Sequence, residues 1–255
     1  MEADIVMGPN TDVVQLFMSF LKGPVDIRMT KKNNMMNILR LSSQSLPTGA
    51  FSYSQGMEWL VDTQRIHDED TVYQWIASIL HGPYVNYELP ILREMYEAWL
   101  SADYRSVEVL NRDYLTSRET CEVQKETLQM GHALKAIIKE MDLESDGSTG
   151  FLLQLDDFAF VTGFSFCSFK TGLSVEDMLT SHVWSFIENQ ILVGIKAVPL
   201  GQSGGQRLLN RLIPLGNESV SRSMEITVDS WSNFSPLQAI SSSKHETQYS
   251  RLFRS

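Results

Sequence analysis

Cysteine and positive charge are both scarce in this chain of 255 residues. Two cysteines cannot build a disulfide framework or a four-thiolate metal site, which favours a reducing compartment. Lys and Arg together number 21 against 31 Asp and Glu, so the formal net charge is −10. Binding to nucleic acid or to an anionic membrane surface depends on basic patches, so this balance argues against both as partners.

Export signals and long hydrophobic runs are also missing. The N-terminal stretch MEADIVMGPN is acidic, whereas a secretory signal opens with positive charge. The apolar stretch Val13–Leu21 is too short to span a bilayer, and Gln15 and Ser19 interrupt it. We therefore expect a cytoplasmic protein. Because 43% of the residues are hydrophobic and 20% are charged, the chain can bury a core and is not of disordered composition.

Alternating strand patterns are scarce, and helical periodicity runs from about residue 57 to residue 213. Val72, Trp75, Ile76 and Ile79 fall three and four positions apart, which is typical of an amphipathic helix. The stretch 158–169 is apolar nearly all round and predicts a buried helix. These patterns predict an all-α fold, a compact single-domain bundle of roughly eight to ten helices.

Composition divides the chain into three segments. Residues 1–34 come before the first convincing helical pattern and are predicted to be an N-terminal extension of unclear role. Residues 35–230 are predicted to form the helical domain. Residues 231–255 are rich in Ser and other polar residues and are predicted to form a C-terminal partner-binding tail. A polar chain terminus is expected to be weakly ordered.

One motif suggests catalysis. Gly201–Gly205 (GQSGG) matches the G-x-S-x-G nucleophile elbow, and Asp229 and His245 could complete a Ser203-Asp-His order. An α/β-hydrolase needs alternating strands and helices around the elbow, and Pro199 would fall in its central strand. A turn between two helices is therefore favoured, and a serine hydrolase built on Ser203 remains the alternative. The sequence contains no phosphate-binding G-x-x-x-x-G-K-[ST] loop and no His pair at metal-ligand spacing.

Three stretches together resemble the urease accessory protein UreF family. They are Leu39–Trp59 (LRLSSQSLPTGAFSYSQGMEW), Trp184–Leu209 (WSFIENQILVGIKAVPLGQSGGQRLL) and Ser243–Ser255 (SKHETQYSRLFRS). The resemblance covers about residues 36–255. It departs from the family pattern at Thr48, where the family usually has an aliphatic residue, and at Ala50, where it often has Gly.

The resemblance implies an all-helical accessory protein without catalytic activity, required for the maturation of urease by nickel insertion. Members of this family form homodimers that bind UreD (also called UreH) and UreG, a nickel-carrying GTPase. The resulting complex docks on apo-urease and couples GTP hydrolysis to nickel delivery. By this resemblance no cofactor or metal is bound stably, because nickel passes through the complex along a water-filled passage and GTP is bound by UreG.

Matched positions and side-chain chemistry suggest a set of partner-binding residues. Lys196 looks like the family lysine implicated in partner regulation, and the tail combines aromatic and guanidinium groups as interface hot spots do. We expect the tail to become ordered when it binds UreD/UreH. The residues predicted to contact UreD/UreH, UreG or a dimer mate are Tyr53, Glu58, Lys196, Gln202, Gln206, Arg207, His245, Glu246, Tyr249, Arg251 and Phe253.

Two further groups have predicted roles in the interior and in a turn. Glu188, Asn189 and Gln190 interrupt an apolar helix, and adjacent helical positions lie about 100° apart, so at least one must point inward. They form either a satisfied buried network or the polar lining of the passage. Pro47 and Gly49 predict a structural turn before a helix that begins near Ser52 or Ser54.

Overall fold

The computed structural model describes residues 31–141 and 146–255, and in these ranges the chain is helical without a β-strand. Ten of its α-helices have eight residues or more, which confirms the predicted all-α bundle. In chain order the α-helices are α1 (Lys31–Ser42), α2 (Met57–Asp62), α3 (Glu69–Ile79), α4 (Leu89–Leu100), α5 (Tyr104–Thr116), α6 (Cys121–Glu140), α7 (Gly147–Gln154), α8 (Phe160–Lys170), α9 (Val175–Ala197), α10 (Gly201–Ser223) and α11 (Pro236–His245). A π-helical segment, Leu80–Glu88, joins α3 to α4.

Side-chain caps fix where several helices begin. The Asp68 carboxylate accepts a hydrogen bond from the Thr71 N–H at 2.8 Å, which satisfies a free donor in the first turn of α3. Ser174 caps α9 in the same way by accepting from the Asp177 N–H at 3.1 Å. Both caps lie where the sequence pattern placed helix starts.

The core is built around two buried helices. α9 packs against α10, α1, α2, α3 and α4, and α8 lies between α4 and α6. Residues 161–168 of α8 are all buried, which confirms the helix predicted from the apolar stretch 158–169. None of the helices in the described ranges combines the length and the hydropathy needed to cross a membrane.

The predicted turn is present, but the helix after it begins later than expected. Gly49 has φ = 79° and precedes a 3₁₀ turn, Ala50–Ser52. Gln55 (φ = 55°) and Gly56 (φ = 90°) are also left-handed, so a right-handed helix cannot start at Ser52 or Ser54 and α2 begins at Met57. Gly56 also allows α11 to approach, because a Cβ there would lie 2.4 Å from Ser241 Oγ.

The two ends of the chain differ from the sequence prediction. The boundary predicted between residues 34 and 35 falls inside α1; the rest of the predicted extension, residues 1–30, lies outside the described residues. The expectation of a weakly ordered tail is wrong for this structure. α11 packs against α2 and α6, and Phe253 near the end of the tail is buried. Long-range contacts that composition does not show hold this polar segment in place.

Candidate functional site

The last residues of the tail lie in a seat formed by three carboxylates. We call residues 245–255 the terminal segment and Glu58 of α2 with Glu122 and Glu126 of α6 the seat. All three carboxylates bond to side chains or to backbone groups of the terminal segment. The segment thus joins two helices that are far apart in the sequence.

Glu58 holds the main chain of the terminal segment. Its Oε1 accepts a hydrogen bond from the Leu252 N–H at 2.5 Å, and its Oε2 accepts one from the Phe253 N–H at 2.9 Å. His245 Nε2 lies 3.0 Å from the same Oε2. Because Glu58 is only 9% exposed, these groups compensate it for the water that it loses on burial.

Glu122 lies on the other side of the same imidazole. Its Oε2 is 2.7 Å from His245 Nδ1, and its Oε1 accepts a hydrogen bond from Arg251 Nη1 at 2.7 Å. The His245 side chain is fully buried between the two carboxylates. One imidazole therefore links α11 to both α2 and α6.

The end of the segment is held by the turn before α2 and by Glu126. The Ser54 N–H donates to the main-chain oxygen of Ser255 at 2.5 Å, and the Ser255 hydroxyl donates to Glu126 Oε2 at 2.9 Å. Burial raises the pKa of Glu126 to about 7, although hydrogen bonds from Gln55 and Ser255 favour its ionised form. Ser255 is completely buried.

The terminal segment has an inner and an outer face. Phe253 points inward, and the Lys196 ammonium lies 5.6 Å from the centre of its ring in a cation–π contact. Tyr249 is fully exposed and Leu252 is 64% exposed. The segment just before it also shows exposed apolar side chains, namely Phe234, Leu237 and Ile240. The outer face of the tail therefore exposes apolar side chains to solvent, while the inner face is held by the seat.

A cavity of about 110 Å³ with a mixed polar and apolar lining lies next to the seat. Burial disfavours the Glu88 carboxylate, yet the Arg118 guanidinium, the His182 imidazole and the Tyr114 hydroxyl lower its pKa to about 2. Nδ1 of His182 and Oδ1 of Asn189 are buried and have no hydrogen-bond partner among the described residues, and Nε2 of His182 lies 3.6 Å from Glu88 Oε1. The polar residues that line the cavity include Gln44, Glu88, Arg118, Glu126, His182 and Asn189. Unsatisfied groups around such a space are typical of sites that hold water.

Comparison with known proteins identifies the family. A family model described as UreF matches residues 66–213, which is more than half of the chain. The chain belongs to the UreF family. A urease accessory protein UreF from Dechloromonas aromatica is 38% identical over 222 residues, 87% of this chain and 97% of that protein. UreF proteins from Azoarcus sp. (38% identical, 87% of this chain and 95% of that protein) and Methylobacillus flagellatus (35%, 89% and 100%) are similar.

In this UreF-family chain, several of the predicted partner-binding residues lie at the surface. Lys196, Gln202, Gln206 and Arg207 are exposed on α9 and α10, although Arg207 also forms an ion pair with Glu69 at 2.8 Å. In the tail the exposed members of the predicted set are Glu246, Tyr249 and Arg251. Their contacts with UreD/UreH, UreG or a dimer mate stay predictions.

The other predicted partner-binding residues lie inside the chain. Tyr53, Glu58, His245 and Phe253 are buried, and Tyr53 donates a hydrogen bond from its hydroxyl to Gln129 Oε1 at 2.7 Å. In this structure their contacts are intramolecular, and a direct contact of any of these four residues with a partner stays a prediction. The expectation that the tail is unstructured until it binds is corrected by the same contacts.

The polar triplet of α9 lies against the turn before α2. Asn189 Nδ2 donates to the Tyr53 carbonyl at 3.1 Å, and Gln190 accepts a hydrogen bond from Trp75 Nε1 at 3.1 Å. Glu188 is half-buried. Gln190 thus belongs to a buried hydrogen-bonded network, and Asn189 lines the cavity, whereas a polar passage through the chain stays a prediction.

Glu122 and Glu126 are functional candidates that sequence reasoning missed. They lie four positions apart on α6 and so share one helix face, which was the available signal. Nothing in the local pattern showed that this face meets the tail. The described residues contain no group of three or more His, Cys, Asp or Glu side chains arranged to hold a metal ion.

The G-x-S-x-G match does not form a strand-to-helix elbow. Gly201 has φ = 64° and starts α10, so Ser203 is an exposed residue in the first turn of a helix and not in a turn between helices. We expect Ser203→Ala to leave urease activation unchanged and stability within about 0.5 kcal/mol, as is usual for surface substitutions. Urease activity of cells carrying the variant and urea unfolding would check this. Labelling of the wild type, but not of the variant, by a covalent serine-hydrolase probe would contradict it.

Proposed function

We propose that this chain is a non-catalytic subunit of a cytoplasmic urease-maturation complex. In this proposal it acts as a homodimeric scaffold that bridges UreD/UreH and the GTPase UreG. It couples GTP hydrolysis by UreG to the delivery of nickel into apo-urease. Family membership supports the general role. The bridging role rests on the tail, whose inner face is held by the seat and whose outer face exposes apolar side chains.

The tail supports docking because its outer face is apolar while its inner face is fixed. Aromatic and aliphatic side chains exposed on an anchored segment can be buried by a partner without a large loss of chain entropy. Tyr249, Leu252 and Phe234 are the most exposed apolar side chains of the tail. We assign this outer face to UreD/UreH.

The polar groups that line the cavity support the proposal that a hydrated cation passes through it. Its lining offers the carbonyl oxygen of Asn189 and the ring nitrogens of His182, which can bond to water molecules around a passing ion. Glu126 adds a carboxyl group whose charge changes near neutral pH. In this proposal nickel crosses the chain near these groups without a stable binding site.

Removal of the outer face is the direct test. We expect Tyr249→Ala/Leu252→Ala to lower the amount of UreD/UreH that co-purifies by at least about tenfold, because both side chains have the character of interface anchors. Truncation after Ser243 is expected to abolish capture of UreD/UreH, and capture of UreG is measured in the same pull-down from co-expressing cells.

The matched control is Leu100→Ala, which removes an exposed leucine from α4 (54% exposed) and should not change capture. If the double variant and the truncated chain capture UreD/UreH as well as the full chain does, the tail is not the interface. The partner surface would then have to lie on the helices.

A further inference from the structure

The fully buried His245 has a constrained protonation state. Its two ring nitrogens lie 2.7 Å from Glu122 Oε2 and 3.0 Å from Glu58 Oε2. A neutral imidazole has one donor and one acceptor nitrogen, so it could donate to only one of these oxygens. The other nitrogen would then place its lone pair against a carboxylate oxygen.

Both carboxylates already act as acceptors for other groups. Glu58 accepts from two backbone N–H groups, those of Leu252 and Phe253, and Glu122 accepts from the Arg251 guanidinium. Both carboxyl groups thus bond to N–H donors as acceptors. The proton between each oxygen and the ring must therefore come from the imidazole, which has to carry two protons.

The charges around the ring balance only with that proton. Glu58 from α2 and Glu122 from α6 contribute two negative charges, and Arg251 together with a protonated His245 contributes two positive charges. The remaining ionisable groups nearby are Glu246, whose Oε1 accepts from the Glu122 N–H at 3.3 Å, Lys196 over the Phe253 ring, and Glu126 at the end of the segment. Loss of the imidazole proton would leave a buried excess of negative charge, which is costly.

We infer that the terminal segment is a proton-dependent latch, in which seating of residues 245–255 requires a doubly protonated His245. An imidazole in water loses its charge near neutral pH. Seating therefore takes up a proton in neutral and alkaline solution, and the seated state weakens as the pH rises. Its consequence for UreD/UreH binding rests on the proposed function, because the latch controls how the outer face of the tail is presented.

The latch can be tested on the full chain alone by hydrogen exchange. Glu58 protects the amides of Leu252 and Phe253, so a peptide covering 246–255 reports on seating. After correction for intrinsic exchange rates, we expect its protection to fall by about tenfold per pH unit above pH 7, the slope of a one-proton linkage. A peptide from α9, Val175–Ala197, serves as the reference for global stability.

Three variants separate the latch from other titrations. His245→Gln should lower protection of the terminal segment and remove the pH slope while α9 stays protected. Arg251→Gln should lower the protection of the terminal segment but keep the pH slope of that protection. Glu126→Gln should also keep the slope above pH 7, because burial raises the pKa of Glu126 to about 7 and its ionisation therefore weakens the folded state as the pH rises towards 7 and not beyond it.

A flat pH profile in the wild type would overturn the latch, as would a slope that persists in His245→Gln or disappears only in Glu126→Gln. None of these outcomes depends on a partner protein. Failure of the UreD/UreH pull-down would therefore count against the proposed function and leave the latch standing. If the pull-down succeeds but the exchange data contradict the latch, the latch is wrong and the docking assignment stands.

Discussion

Replacing Glu58 by alanine is expected to release the terminal segment and to abolish measurable binding of UreD/UreH. The substitution removes the acceptor of the Leu252 and Phe253 N–H groups and one of the two carboxylates that flank His245. An unpaired buried N–H costs about 1–3 kcal/mol, and breaking a buried ion pair costs about 3–5 kcal/mol. With this free-energy loss the seated state should become less stable than the unseated state.

Local release of the terminal segment costs less free energy than global unfolding. If the terminal segment leaves the seat, its N–H groups and the imidazole regain water and avoid most of the penalty. We therefore expect the exchange protection of residues 246–255 to fall by at least about 100-fold, whereas that of α9 stays nearly unchanged. Hydrogen exchange by mass spectrometry measures both, and titration calorimetry with purified UreD/UreH measures binding.

Two variants control for the loss of charge. Glu97→Ala removes an exposed glutamate from α4 and should leave both readouts unchanged. Glu58→Gln retains an acceptor oxygen for the main chain but not the charge opposite His245, so it should give an intermediate loss of protection. Full protection of the terminal segment in Glu58→Ala would show that this carboxylate does not hold the tail.

Local sequence patterns predicted the helices but not the contacts between distant segments. The stripe through Val72 and Trp75 and the cap at Asp68 report on neighbouring residues, and α3 begins and ends close to where they indicate. The seat depends on a contact between Glu58 and His245, which are 187 positions apart. No periodicity carries this information, so a polar, Ser-rich tail was expected to be weakly ordered.

The same limit applies to the candidate site. The motifs indicated that Glu58, His245 and Phe253 matter, but spacing could not show that they meet each other and not a partner. Glu122 and Glu126 were missed because two acidic residues on one helix face most often face solvent. Only the fold shows that this face of α6 receives the tail.

Gly131→Ala is expected to destabilise the chain by about 3 kcal/mol or more, although glycine to alanine in a helix normally stabilises by about 0.5–1 kcal/mol. Gly131 lies in the middle of α6 where the main chain before α8 crosses it closely. A Cβ at this position would lie 2.1 Å from the Phe158 carbonyl oxygen and 3.1 Å from the Ala159 carbonyl carbon. Because the obstacle is backbone, no side-chain rotation can relieve the overlap.

The crossing segment cannot move away without further loss. The Ala159 N–H donates to Asn111 Oδ1 at 2.9 Å, and the Phe160 N–H donates to Thr127 Oγ1 at 3.0 Å. The Phe160 N–H would lose Thr127 if α6 moved away from this segment. The Ala159 N–H would lose Asn111 of α5 if the segment itself moved, and each lost bond adds about 1–3 kcal/mol. Overlap and separation are therefore both unfavourable.

Urea unfolding followed by circular dichroism measures the effect, and Gly150→Ala in α7 is the matched control. A Cβ at Gly150 meets no atom within 4 Å, so this variant should be as stable as the wild type or slightly more stable. Since Glu122 and Glu126 lie on the same helix as Gly131, a displaced α6 should also move the seat and weaken capture of UreD/UreH. If Gly131→Ala unfolds within about 0.5 kcal/mol of the wild type, the close crossing of α6 and the segment before α8 is wrong, and the placement of the seat relative to the core would need revision.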